Sequence, residues 1–136
     1  MRGLTIITLF LIATISSMAF KKTNQKFDLK ASIERGKEVY NSQCITCHME
    51  KGEGLEGAFP PVAKSDYLMA DKKRSVKQIL EGASGEMVVN GVTYNGEMPA
   101  SDLTDEQVSD VLNYVRNSWG NKGGAVTPSE VKAERK

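Results

Sequence analysis

Both cysteines of the chain stand three positions apart, at Cys44 and Cys47, and the only histidine, His48, follows the second directly. The C-x-x-C-H spacing is that of covalent haem attachment. Two thioether bonds to the porphyrin vinyl groups would fix the ring, and the imidazole next in line would be held beneath the iron. Three other chemistries explain less. A Cys44–Cys47 disulfide suits an oxidising compartment but leaves the adjacent histidine without a role. A structural zinc site normally takes four protein ligands, and the chain has no third cysteine or second histidine to help close one. A thioredoxin-like redox pair belongs among alternating strands and helices, a pattern absent here.

A single histidine also limits the far side of the iron. A bis-histidine haem cannot be built within this chain, so the expected sixth ligand is a thioether. Met49 is next to His48 and cannot wrap to the opposite face, while Met1 and Met18 belong to the N-terminal apolar segment. Met69, Met87 and Met98 remain. Met98 lies in a predicted loop between Gly96 and Pro99, whose fixed φ stiffens the backbone. Met69 and Met87 occupy predicted element positions, where methionine usually fills core space. Met98 is therefore the expected ligand, with packing alone as its alternative. Closed by His48 and Met98, the iron has no vacant position and can only change oxidation state, so no enzymatic turnover is expected. If Met98 does not ligate, the open iron would suit an enzyme or a sensor.

The elements that must position these residues follow from periodicity and capping. Asp28 can cap a helix in which Leu29, Ile33, Gly36 and Tyr40 recur at helical spacing, and which runs into Cys44. Glycines at 52, 54 and 57 mark a loop that Phe59-Pro60-Pro61-Val62 closes with a stiff, extended segment. A short helical turn is predicted over 66–70 and a helix over 71–81, ended by Gly82. Met87-Val88-Val89, Asn90-Gly91 and Val92-Thr93-Tyr94 spell a hairpin, because Asn-Gly suits the positive φ values of a two-residue turn. The last helix starts at a Thr104/Gln107 capping box with Leu103 stapled onto Val108. It carries Val108, Val111, Leu112 and Val115 as one stripe, and is expected to run past Arg116 with Gly120 just beyond its end. Residues 122–136 read as a polar tail with at most a short turn near Ser129.

Composition bounds the rest. With 26% charged and 40% hydrophobic residues, the 136-residue chain suits one globular domain rather than disorder. Arg2, an uncharged run to Phe20 and the Ser17-Met18-Ala19 triplet have an export signal's layout, cleaved after Ala19. An uncleaved anchor is the alternative. Either reading puts the folded part in the periplasm or otherwise outside the cytoplasm, with membrane contact only through residues 1–19 and a polar spacer over 20–27. Without Arg2 the 18 basic residues become 17, equal to the 17 acidic ones. Nucleic acid, which wants a basic surplus, is excluded as a partner.

The C-I-T-C-H motif early, M-P-A late and the closing amphipathic helix together resemble a class I cytochrome c domain, over residues 28–121. Phe59-Pro60-Pro61-Val62-Ala63, Val89-Asn90-Gly91, Tyr94 to Ala100 and Asn113 to Asn121 carry the more specific likeness, to bacterial small electron carriers and haem domains of nitrite reductases and dehydrogenases. The resemblance implies a mostly α fold, with helices packed around one covalent haem c and a small β-hairpin before the Met98 loop. It implies that the first and last helices cross beside the haem, Gly36 and Tyr40 against Tyr114. It also implies that a proline carbonyl, Pro60 or else Pro61, accepts the second imidazole proton of His48 and fixes its orientation. The alternative is that both prolines only stiffen the loop. Tyr94 and Trp119 are expected at the haem edge or propionates, or simply in the core. Lys64, Lys72, Lys73 and Arg74 form either a docking patch or a solvated face. The implied function is one-electron transfer in respiration, as a free carrier or as a subunit of a larger oxidoreductase. Redox proteins such as a terminal oxidase, nitrite reductase or dehydrogenase are the implied partners.

Overall fold

The structure, a computed structural model, describes residues 26–135. The expected signal segment 1–19 and the expected spacer up to residue 25 lie outside the described residues. Asp28 starts helix α1 (Leu29–Gln43), its carboxylate accepting the Ala31 N–H at 3.1 Å. Ser32, Gly36 and Tyr40 recur every four residues and form the buried stripe of α1. A four-residue turn, α2 (Ile45–His48), follows and ends where Met49 takes a left-handed conformation at φ 64°. After the loop come α3 (Asp66–Ala70) and α4 (Lys72–Glu81), capped by the Ser65 and Asp71 side chains. Strands β1 (Met87–Val89) and β2 (Val92–Tyr94) pair antiparallel, with Met87 opposite Tyr94 and Val89 opposite Val92. Asn90 and Gly91 supply the two positive φ values of the turn, 53° and 80°. Reciprocal bonds between Asp66 and Asn90, at 3.0 and 2.8 Å, pin that turn to the start of α3.

Helix α5 (Asp105–Val115) begins at the full Thr104/Gln107 capping box and buries Val108, Val111, Leu112 and Val115. It ends at Arg116, earlier than expected. Asn side chains, not Gly120, satisfy the terminal carbonyls: Asn121 Nδ2 donates to Val115 O at 2.7 Å and Asn117 Nδ2 to Asn113 O at 2.9 Å. Gly120 instead serves a tight turn beyond the helix, at φ 94°.

The segment 122–136 is not the polar tail expected. Val126 and Val131 are both fully buried in the core, and Pro128–Glu134 forms a helix, α6, opened by a Thr127/Glu130 capping box. Surface ion pairs fasten it: Lys72 to Glu130 at 2.5 Å, Lys73 and Lys77 to Glu134, and Arg135 to Asp105. A polar network ties its entry to α1 and α5. Asp110, buried, accepts from Ser32 Oγ at 2.5 Å and from Arg35 Nε and Nη2 at 2.7 and 2.8 Å. The Asn113 amide exchanges bonds with both backbone groups of Val126, at 2.8 and 2.7 Å. Helices α1 and α5 cross very closely: a Cβ on Gly36 would stand 1.9 Å from the Asp110 carbonyl oxygen and 2.9 Å from Tyr114 Cβ. Only glycine fits there.

Candidate functional site

The loop after α2 folds back on itself because its glycines permit it. Gly54 N–H bonds His48 O at 3.1 Å, and Gly52 O takes the N–H groups of both Val62 and Ala63 at 2.8 Å. A Cβ on Gly54 would meet Phe59 O at 2.3 Å, so the chain can pass this close only without one. Tyr40 adds a clamp from α1, its hydroxyl donating to Met49 O at 2.7 Å. The fold-back brings the Pro60 carbonyl 3.0 Å from His48 Nδ1. A carbonyl can only accept, so Nδ1 carries the proton and Nε2 keeps its lone pair. Burial holds the imidazole below its ordinary pKa, opposed in part by the Pro60 bond, so the ring is neutral at neutral pH and suited to bind a metal.

His48, Cys44 and Cys47 line one wall of an apolar cavity. Phe59, Pro60, Pro61 and Val62 of the loop and Val111, Leu112 and Val115 of α5 line the same cavity. Met98 is on the lining as well, and its backbone is held in both directions: Met98 N–H to Ala83 O at 2.8 Å and Ala83 N–H to Met98 O at 2.9 Å. Counted with the solvent at its open mouth, the space framed by these residues is about 1090 Å³. The Cys44 thiol is pushed up to about 11, chiefly by burial. Reactive dithiols need the opposite shift, so this is a poor thiol–disulfide exchange site. A broad apolar slot bearing two thiols, a free imidazole nitrogen and a thioether fits a covalent haem.

Among the other expected residues, Tyr94 is buried and lines the cavity, whereas Trp119 does not. Trp119 instead packs tilted against Tyr40 and edge-to-face against Tyr114, at centroid distances of 5.1 and 5.3 Å, over Gly52. Lys72, Lys73 and Arg74 do not make a free basic patch. The two lysines pair with α6, and the Arg74 guanidinium lies 3.6 Å from the Tyr67 ring centroid. Sequence reasoning treated Met87 as plain core, yet it lines the cavity with Val89. Alternation along β1 puts those two residues on one face, a signal that was available. Tyr67 and Gln78 also line the cavity and had no such signal.

Fold and site together define a small helical domain that wraps a covalently held ring cofactor. The chain belongs to the cytochrome c family, whose family model, described as Cytochrome c, matches residues 33–119. Cytochrome c-552 of Thermus thermophilus is 32% identical, over 74% of this chain and 94% of its own. The cytochrome c subunit of alcohol dehydrogenase (quinone) from Gluconobacter oxydans is 31% identical, over 74% of this chain but 22% of its own. The Cbb3-type cytochrome c oxidase subunit CcoP of Azospirillum brasilense is 30% identical, over 73% of this chain and 32% of its own. The protein is thus a class I c-type cytochrome, an electron-transfer domain carrying haem c.

Proposed function

We propose that Cys44 and Cys47 form the thioether links, that His48 and Met98 are the axial ligands, and that the Pro60 carbonyl orients His48. The presence of all four side chains on one apolar cavity carries this reading. When bound, the haem supplies the one-electron iron couple, and the protein sets its potential through ligand type, burial and hydrogen bonds. Pro60 fixes the imidazole plane and raises its basicity. The Ala83 bridge holds the Met98 backbone, and the apolar walls keep water off the iron. With His48 and Met98 holding the iron, the domain would pass electrons rather than bind a substrate.

Met87 is a second thioether on the same lining, so the test must separate the two. Oxidised iron bound by a thioether shows a weak absorbance band at the red end of the visible. The band is expected in wild type and Met87→Leu and to vanish in Met98→Leu. Its absence from wild type sinks the His48/Met98 assignment.

In this reading the domain works outside the cytoplasm, in the periplasm, and links a dehydrogenase or other donor to an oxidase or reductase. Among the described residues no helix is long and apolar enough to cross a membrane. Service as a free carrier is supported by the near full-length match to cytochrome c-552. Residence in a larger oxidoreductase is the second reading, supported by relatives in which the matched part is about a fifth of a dehydrogenase's cytochrome subunit. Size-exclusion of the native extract separates them: a carrier elutes at its own mass, a subunit with its enzyme.

A further inference from the structure

The residue after the ligand histidine has a backbone that its side chain does not suit. Met49 stands at φ 64° and ψ 168°, a conformation that is essentially glycine's own, because a Cβ strains it. Such strain persists only where the surroundings over-determine the backbone. Both polar backbone groups of Met49 are held. Its N–H donates to Ile45 O at 2.9 Å, and its carbonyl accepts the Gly52 N–H at 3.2 Å and the Tyr40 hydroxyl at 2.7 Å. The first two bonds are local turns of the chain. The third comes from α1, and Tyr40 has little freedom to release it. Tyr40 is 1% exposed and packs against Tyr114 and Trp119, at centroid distances of 5.5 and 5.1 Å. Burial pushes its pKa up, so the hydroxyl keeps the proton it donates.

His48 directly precedes this clamp. Its own carbonyl accepts the Gly54 N–H at 3.1 Å, and its Nδ1 lies 3.0 Å from Pro60 O. The bond to Pro60 needs the imidazole presented at one angle, and that angle follows the backbone on which the ring is mounted. Without the Tyr40 hydroxyl, Met49 would relax towards an unstrained conformation and turn the His48 peptide with it. We infer that Tyr40 is a positioning residue for His48: its hydroxyl locks the Met49 carbonyl, keeps Met49 in glycine's conformation, and so sets the imidazole against Pro60. This rests on His48 as the axial ligand proposed above. A weaker bond from Nδ1 to Pro60 leaves the imidazole less basic, and a less basic ligand favours ferrous iron.

Tyr40→Phe keeps the ring and its packing and removes only the O–H. In ferrous holoprotein labelled with ¹⁵N-histidine, its His48 Nδ1 proton is expected to exchange about tenfold faster than in wild type, while amides of α5 exchange as before. At a fixed electrode potential the ferrous-to-ferric ratio should rise about threefold. The deciding variant is Tyr40→Phe/Met49→Gly. Glycine holds the Met49 conformation without strain, so both readouts should return to wild-type values, whereas Tyr40→Phe/Met49→Ala should stay with the single variant. A hydrogen bond that mattered only to stability would gain nothing from glycine, which loosens the unfolded chain further. Unchanged exchange or potential in Tyr40→Phe, or no recovery in the Met49→Gly double variant, overturns the inference. If Tyr40→Phe alone does not fold, the double variant must fold with wild-type Nδ1 exchange, and any other result overturns it too. Failure of the haem site itself is read separately, as a missing thioether absorbance band in wild type.

Discussion

Where α1, α5 and α6 meet, Asp110, Ser32, Ser109 and Asn113 all find partners within the protein, whereas across the cavity Phe59, Leu68, Ile79, Val89 and Met98 line space that no side chain fills. The first region is a complete core of protein alone. The second becomes a core only around its ring, because apolar groups are stabilised by contact and an open slot withholds that contact. A domain of this size can thus give part of its interior to a cofactor, provided the rest is packed and hydrogen-bonded by the protein alone.

The widest gap between the two regions is expected without the ring. In Cys44→Ala/Cys47→Ala, amides of α3, the hairpin and the loop over 49–63 should exchange about 100-fold faster relative to those of α5, a difference of about 2.7 kcal/mol. Equal loss in both regions would break the comparison. Next in size is Gly36→Ala, whose methyl would meet the Asp110 carbonyl at 1.9 Å. Forcing α1 from α5 should cost about 3 kcal/mol in urea unfolding, with the haem absorbance of the folded protein unchanged. Val131→Ala removes two methyl groups from a fully buried site and should cost about 2 kcal/mol. A cost near zero would return residues 122–136 to the status of a tail.

The smallest effect concerns pH. The Lys72 hydrogen bond, above all, holds the Glu130 carboxyl below its ordinary value of 4.5. A depressed folded-state pKa adds stability above the unfolded value, and that stability is lost as pH falls through the lowered one. Glu130→Gln should therefore cost less than about 1 kcal/mol at neutral pH, since the pair is exposed. The deficit should shrink on acidification below 4.5. A deficit that widens in acid would show that the pair does not fasten α6.

The legible parts of the sequence were those whose cause is local. Asn90-Gly91 requires a tight turn, the Thr104/Gln107 box and Val108 stripe require α5, and Cys44, Cys47 and His48 declare the cofactor before any tertiary contact forms. Helix α6 was missed for want of periodicity, since Val126 and Val131 alone make no stripe and the docking charges sit on α4. Its start was nonetheless written in Thr127-Pro128-Ser129-Glu130, a capping box with proline at the first helical position. Other features depend on residues far apart in the chain. Ser32 meets Asp110 across 78 positions. Tyr67 and Gln78 become features of the cavity only once α3 and α4 turn the same way. Trp119 took the core alternative, against Tyr40 and Tyr114, because an aromatic's spacing does not tell which side of α1 it will pack against.

The clasp of α1 with α5 also bears on how this chain can change. It makes the polypeptide from Cys44 to Thr104 a single closed loop, tied at its base by the Gly36 crossing. Closing a loop costs entropy that grows only logarithmically with length, about 0.6 kcal/mol for each doubling. Insertions at the exposed tips of that loop should be tolerated, while a change of one methyl at its base is not. The scaffold is permissive at its loop tips and unforgiving at the crossing of α1 with α5.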